Sequence, residues 1–138
     1  MTPLINKSNS KQHWNYLLTA YNIAQKSTYP KKYGAVLVYQ NKIISTGFNS
    51  YKKGAFTSGK KTLHAEIDAI LQLQYNSKMS LEKRRQLRGV NLYVVKCSNM
   101  YNGFENCQLC HDCQIKIKKL MKLKFINKVF LSSETVFD

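Results

Sequence analysis

Residues 34–48, Gly-Ala-Val-Leu-Val-Tyr-Gln-Asn-Lys-Ile-Ile-Ser-Thr-Gly-Phe, decide the fold. Gly34 to Tyr39 is a short unbroken apolar run, which reads as a buried strand. Asn41-Lys42 supplies a turn, and Lys42 to Phe48 returns as a second strand, so the stretch is a β-hairpin. Upstream, Lys11 to Gln25 places Trp14, Leu17, Leu18, Tyr21 and Ala24 at helical spacing. Downstream, residues 50–62 form a loop with Gly54, Gly59 and the lysines Lys52, Lys53, Lys60 and Lys61. A helix follows from about Leu63 to Tyr75, with Thr62 as its cap and Leu63, Ile67, Ile70 and Leu71 as its apolar stripe.

Ser80 to Leu87 reads as a short basic helix ended by Gly89, and Val90 to Val95 as a third strand. A helix over about Leu109 to Lys124 and a fourth strand over Asn127 to Leu131 complete the series. The order is α-β-β-α-β-α-β. It predicts an α/β fold with a mixed sheet of four to five strands: a hairpin, then parallel strands joined by right-handed crossovers. No helical signal follows the fourth strand, so a fifth strand, drawn from Glu134 to Phe137, has to be short and hairpin-connected.

The chain has 138 residues, 43% of them hydrophobic, enough for one core, and is expected to form a single domain over 1–138. No apolar run approaches the roughly 18 residues of a membrane span. Met1 to Lys7 has no apolar signal region, which predicts a cytoplasmic protein unless the chain is an excised toxin domain. The charge is strongly one-sided: 22 Lys+Arg stand against 7 Asp+Glu, a net +15. An AT-rich coding bias explains Lys in place of Arg, but not the scarcity of acids, whose codons tolerate the same bias. The excess points to a polyanion, with nucleic acid as the partner.

The four cysteines are Cys97, Cys107, Cys110 and Cys113. Three of them fall within seven residues at C-x-x-C spacing, which reads as metal thiolates in a reducing compartment rather than a disulfide framework. Cys97 reads as a core thiol at a strand end, and His13 and His111 as surface residues. His64-Ala65-Glu66 opens the second helix and the cysteine cluster opens the third. Each follows the loop after a strand, and neighbouring crossovers bring such helix starts to one edge of the sheet. One histidine and two thiolates leave the fourth tetrahedral position of a zinc ion open for water, the layout of a catalytic site rather than a structural one. Glu66, spared as a ligand, is then free to move protons.

From about Tyr33 to Leu131 the chain resembles the zinc-dependent cytidine/deoxycytidylate deaminase superfamily. The matching residues are Gly34-Ala-Val-Leu-Val with Thr46-Gly47-Phe48-Asn49, then His64-Ala65-Glu66, the cysteines, and Ile126-Asn127-Lys128-Val129. The resemblance implies a three-layer α/β/α cytidine-deaminase-like fold and Zn2+ as cofactor. It further implies that His64 ligates zinc, Glu66 shuttles protons, Asn49 contacts the substrate sugar, and the Ala65 N–H addresses the base. The family's proline before the first cysteine is absent, which leaves two ligand pairs open. Cys107 and Cys110 follow Glu105-Asn106; Cys110 and Cys113 lead into Ile115 and Ile117 as the family's helix does. The second pair is favoured, because its helix reaches the fourth strand with less extra length, and Cys107 is then a spare thiol.

The expected function is hydrolytic deamination of cytosine to uracil within a polynucleotide, DNA favoured, single- or double-stranded, with no membrane or protein partner. Lys52, Lys53, Lys60 and Lys61 are the foremost candidate nucleic-acid contacts, because their loop leads into His64. Lys31, Lys32 and the Lys83, Arg84, Arg85, Arg88 cluster come next, and Tyr29, Tyr33, Tyr51 and Phe56 sit beside basic loops where a base can stack. The rivals are a free-nucleotide deaminase of the dCMP type, a tRNA adenosine deaminase, and a non-catalytic zinc-stabilised nucleic-acid-binding domain. Glu66 speaks against the last, since a structural site has no use for an unliganded acid there.

Overall fold

A computed structural model describes residues 11–51, 62–76 and 79–137. The chain runs α1 (Lys11–Ala24), β1 (Tyr33–Tyr39), β2 (Lys42–Phe48), β3 (Ser50–Tyr51), β4 (Thr62–Leu63), α2 (Ala65–Asn76) and α3 (Leu81–Gln86). It continues with β5 (Val90–Cys97), β6 (Gly103–Glu105), α4 (His111–Lys122), β7 (Ile126–Leu131) and β8 (Thr135–Val136).

The hairpin forms as its residues dictate, with the turn one residue earlier than expected. Gln40 and Asn41 both take positive φ (51° and 64°), the two-residue geometry whose twist matches the flanking strands. Lys42 already belongs to β2. β1 pairs antiparallel with β2 on one side and with β5 on the other, while β5 runs parallel to β7. Thus β2, β5 and β7 share one direction, and the C-terminal ends of β2 and β5 open on the same edge of the sheet. That edge is where the site is built.

The apolar runs of β1 and β5 are continuous because the sheet is covered on both faces. Side chains alternate. Val36, Val38, Tyr93, Val95 and Phe130 meet Tyr16, Leu17 and Ala20 of α1 on one face. Ala35, Leu37, Leu92, Val94, Val129 and Leu131 meet Ala69, Ile70 and Leu73 of α2 and Ile117 of α4 on the other. The result is the expected three-layer α/β/α arrangement. His13 belongs to this packing rather than to the surface: its ring lies against Tyr93 and Phe130, and its Nδ1 bonds the Tyr93 hydroxyl.

The main sheet has six strands, one more than the upper expectation. The addition is β6, three residues too short to show a periodicity, whose Phe104 is buried among the α1-side aromatics. The terminal strand falls within Glu134 to Phe137 as expected, but its partner is β6 and not β7. Thr62 does not cap α2; it pairs with Tyr51 in the small β3–β4 ladder. No helix among the described residues is long and apolar enough to cross a membrane.

Candidate active site

His64 stands between β4 and α2, and its carbonyl accepts the Asp68 N–H (2.9 Å), closing the first turn of the helix. α2 is drawn tightly onto β2 at this end: a side chain on Gly47 would meet the Ala65 carbonyl and the Ala69 nitrogen, each at 2.4 Å. Asp68, buried, fixes the same junction by accepting the Phe48 N–H (3.1 Å) and the Gln72 amide (3.2 Å). Sequence reading missed Asp68. Its one signal, an acid in a helix first turn, is ordinarily a complement to the helix dipole.

The cysteine loop is held from the other side by Ser132, fully buried just after β7. The Ser132 hydroxyl donates to the Glu105 carbonyl (2.9 Å) and accepts the Lys96 N–H (3.1 Å), while its carbonyl accepts the Cys107 N–H (3.0 Å). Cys110 then caps α4, its Sγ accepting the Cys113 N–H at 3.4 Å. Ser132 carried no motif in the sequence, and its role follows only from its place between three segments.

These two constructions bring His64, Cys110 and Cys113 together, with ligand atoms all within 4.8 Å of one another. His64 Nδ1 is 3.1 Å from Cys113 Sγ and 3.4 Å from Cys110 Sγ. Cys107 is not in this group; it is buried in the core against the α2 side of the sheet. The sequence reading left the cysteine pair open, and the structure gathers the favoured one. Burial pushes the Cys113 thiol up, and so does the neighbouring Glu66 carboxylate. Burial likewise raises Cys107, to about 12, and Cys97 at the end of β5, to about 11. One nitrogen and two sulfur donors with an open side suit a borderline-soft tetrahedral ion, and the electrostatic load that Glu66 places on Cys113 is what a dication relieves.

Glu66 is buried, with Oε1 3.9 Å from His64 Nδ1. Beside it lies a cavity of about 230 Å³, whose wall includes Tyr29, Lys31, Tyr33, Asn49, Ala65 and Leu109. Ala65 is the first residue of α2, so its N–H has no partner within the helix. Asn49 faces the cavity but is tied to the scaffold: its amide nitrogen donates to the Lys31 carbonyl (2.8 Å), and its oxygen accepts the Tyr33 N–H (2.9 Å). Tyr29 stacks on the exposed Tyr51 (4.3 Å between centroids) and bonds Thr62 through its hydroxyl (2.9 Å). Lys52, Lys53, Lys60, Lys61 and Phe56 lie outside the described residues.

The family described as cytidine and deoxycytidylate deaminase zinc-binding region matches residues 10–127. A tRNA-specific adenosine deaminase from Buchnera aphidicola subsp. Schizaphis graminum is 27% identical over 139 residues, covering 93% of this chain and 81% of that one. Among solved structures, the apo form of dCMP deaminase from the cyanophage S-TIM5 is similar with a TM-score of 0.57 and 24% identity, over 88% of this chain and 82% of that one. RibD from Acinetobacter baumannii gives 0.53 and 22%, over 89% of this chain and 28% of its own. The structural likenesses show the fold, and the family's zinc-binding region together with the gathered His64, Cys110 and Cys113 makes Zn2+ the cofactor. By its match over residues 10–127, the chain belongs to the cytidine and deoxycytidylate deaminase superfamily and is a zinc-type deaminase.

Proposed function

We propose that the chain, as one domain over residues 1–138, hydrolyses the exocyclic amine of cytosine within a polynucleotide, DNA above all, giving uracil and ammonia. The observation that carries the polynucleotide part is the distribution of charge. Two of the seven acids, Glu66 and Asp68, are buried, so the surface is still more cationic than the net +15 suggests. A free nucleotide's phosphate needs only a few positive groups; a strand of phosphates uses many.

His64, Cys110 and Cys113 would hold zinc, which when bound supplies Lewis-acid activation of a water molecule. Glu66 accepts a proton from that water as its oxygen bonds to C4, and passes the proton to the ring nitrogen. Glu66 then takes the proton of the new C4 hydroxyl and delivers it to the amine, so that the C4–N bond breaks as the C4 carbonyl forms, and ammonia leaves. The Ala65 N–H orients the base. Asn49, with its amide already engaged, shapes the cavity wall and is the candidate contact to the sugar. Tyr51 offers an exposed aromatic ring at the mouth for a flanking base. Tyr51 and Thr62, paired to each other, flank in the sequence the candidate nucleic-acid contacts Lys52, Lys53, Lys60 and Lys61. A base inside a duplex has to be flipped out at a cost of a few kcal/mol, which favours single strands.

The test is a single plate in which the protein and its Glu66→Ala variant receive cytosine in single-stranded DNA, duplex DNA and RNA, and as free dCMP. Uracil in polynucleotides but not from dCMP, lost in the variant, is the expected result. Conversion of dCMP alone overturns the proposal. The Buchnera relative favours one second reading, adenosine in tRNA, and inosine formed from tRNA in the same plate would establish it.

A further inference from the structure

At the end of α2 remote from Glu66, the chain carries a second cavity, of about 380 Å³. Its wall includes Leu73, Tyr75, Arg84, Arg85, Leu120 and Phe125, from the last turns of α2 and α4, from α3, and from the connection to β7. Tyr75 is 65% exposed. The Gly89 N–H donates to the Lys124 carbonyl (3.0 Å), which ties the exit of α3 to that of α4 and brings two basic helix ends together. Lys83, Arg84 and Arg85 lie in the last turn of α3, Lys119 and Lys122 in that of α4; the α3 segment contributes a single acid, Glu82.

Part of this charge serves the fold. Arg84 Nη1 donates to the Leu73 carbonyl (3.2 Å) at the end of α2, and Arg88 Nη1 donates to the Arg85 and Leu87 carbonyls (3.0 and 2.7 Å). The rest is not used up in this way. Arg84 Nε is buried at the cavity with no hydrogen-bond partner among the described residues, a donor for which burial is costly until an acceptor arrives. Arg85 is exposed on the cavity rim. An apolar pocket with an exposed tyrosine, guanidinium groups and an unsatisfied N–H suits a ligand with a flat aromatic part and an anionic oxygen beside it.

We propose that this groove is a second nucleotide subsite: it takes one nucleotide of a single-stranded polynucleotide, base against Tyr75 and phosphate on Arg84 and Arg85, while the target base occupies the Glu66 cavity. Glu66 and Tyr75 are separated by about 14 Å along α2. The exposed Lys116 and Lys119, one helical row on α4, supply positive charge between the cysteine end and the groove end of that helix. A single strand is specified because the base has to be unstacked to lie against the ring.

The inference rests on the polynucleotide reading, and binding measurements separate the two. Fluorescence anisotropy would follow single-stranded DNA of about 20 nucleotides, and of about 4, on the zinc-loaded protein and on its Tyr75→Ala and Arg85→Glu variants. The expected result is a loss of roughly five-fold or more in affinity for the long strand in each variant, with no change for the short one. Zinc content and melting temperature verify that each variant is folded. If the unaltered protein binds neither strand in a salt-dependent way, the polynucleotide reading falls, and the subsite with it. If it binds the long strand and both variants bind equally well, only the subsite is overturned. Equal weakening for both lengths also overturns it, as does displacement of the long strand from wild type and variants alike by free dCTP.

Discussion

Glu66 Oε1 lies 3.9 Å from His64 Nδ1, although residues two apart within a helix point about 200° from each other. The two meet because His64 stands just outside α2 while Glu66 lies in its first turn. A donor of the gathered cluster and an acid are thereby turned to one side, with Glu66 outside the group that His64 forms with Cys110 and Cys113.

Glu66→Gln is expected to lower deamination by about 10²- to 10⁴-fold while the protein keeps its zinc. Burial chiefly raises the Cys113 thiol, and the substitution keeps the shape while removing the carboxylate that adds to that effect, so metal binding is undiminished. Zinc content alongside turnover checks both halves; loss of metal in the variant would make Glu66 a ligand.

The cysteines are expected to divide. Cys110→Ser and Cys113→Ser abolish stoichiometric zinc, since each removes one of three gathered donors. Cys107→Ser keeps zinc but costs stability by about 1–3 kcal/mol, because it buries a hydroxyl in an apolar site. Metal analysis with thermal melting separates the cases.

Zinc affinity is expected to rise with pH. Burial, with the Glu66 carboxylate, holds the metal-free Cys113 thiol above its ordinary value, so around neutral pH it is protonated and gives up its proton on binding. The ligand form therefore grows about tenfold per pH unit below that thiol's pKa, and affinity grows at least as steeply. Competition with a chromophoric chelator between about pH 6 and 8 measures the slope, and a flat response would contradict it.

Gly47→Ala is expected to destabilise the protein by about 1–3 kcal/mol and to reduce activity beyond the loss of folded protein. The added carbon meets backbone of α2, so relief requires moving the helix start that carries Ala65 and Glu66. Activity per folded molecule is the deciding quantity.

Ser132→Ala removes a hydroxyl that both donates and accepts in a fully buried position. A loss of about 1–3 kcal/mol is expected, together with faster zinc release, because the freed Glu105 carbonyl lies in the strand that leads into the cysteine loop. Stopped-flow zinc release to a chelator tests the second effect separately from stability.

The helices and long strands were legible because their side chains repeat the geometry of the elements. Val36 and Val38 face α1 while Ala35 and Leu37 face α2, so the 34–39 run had to be continuous. The short elements were not legible. β6 and the β3–β4 ladder have two or three residues each, held by tertiary pairing rather than by a pattern of their own. Thr62 read as a helix cap because its residue type suits one, and long-range pairing with Tyr51 overrode that local preference.

The available chemistry is legible in the residues alone: one histidine, an acid two residues on, and cysteines at C-x-x-C spacing, each placed at a helix start by the strands before it. So is the edge on which they meet, since β2 and β5 had to run in the same direction. Which cysteines lie beside His64 follows from the packing of distant segments. Of the two overlapping C-x-x-C pairs, helix length favours the second without excluding the first; in the fold the Cys107 N–H bonds the Ser132 carbonyl and its side chain lies in the core, while Cys110 caps α4 and Cys113 faces the histidine. Spacing fixes which residues can act together, and the packing of distant segments fixes which of them do.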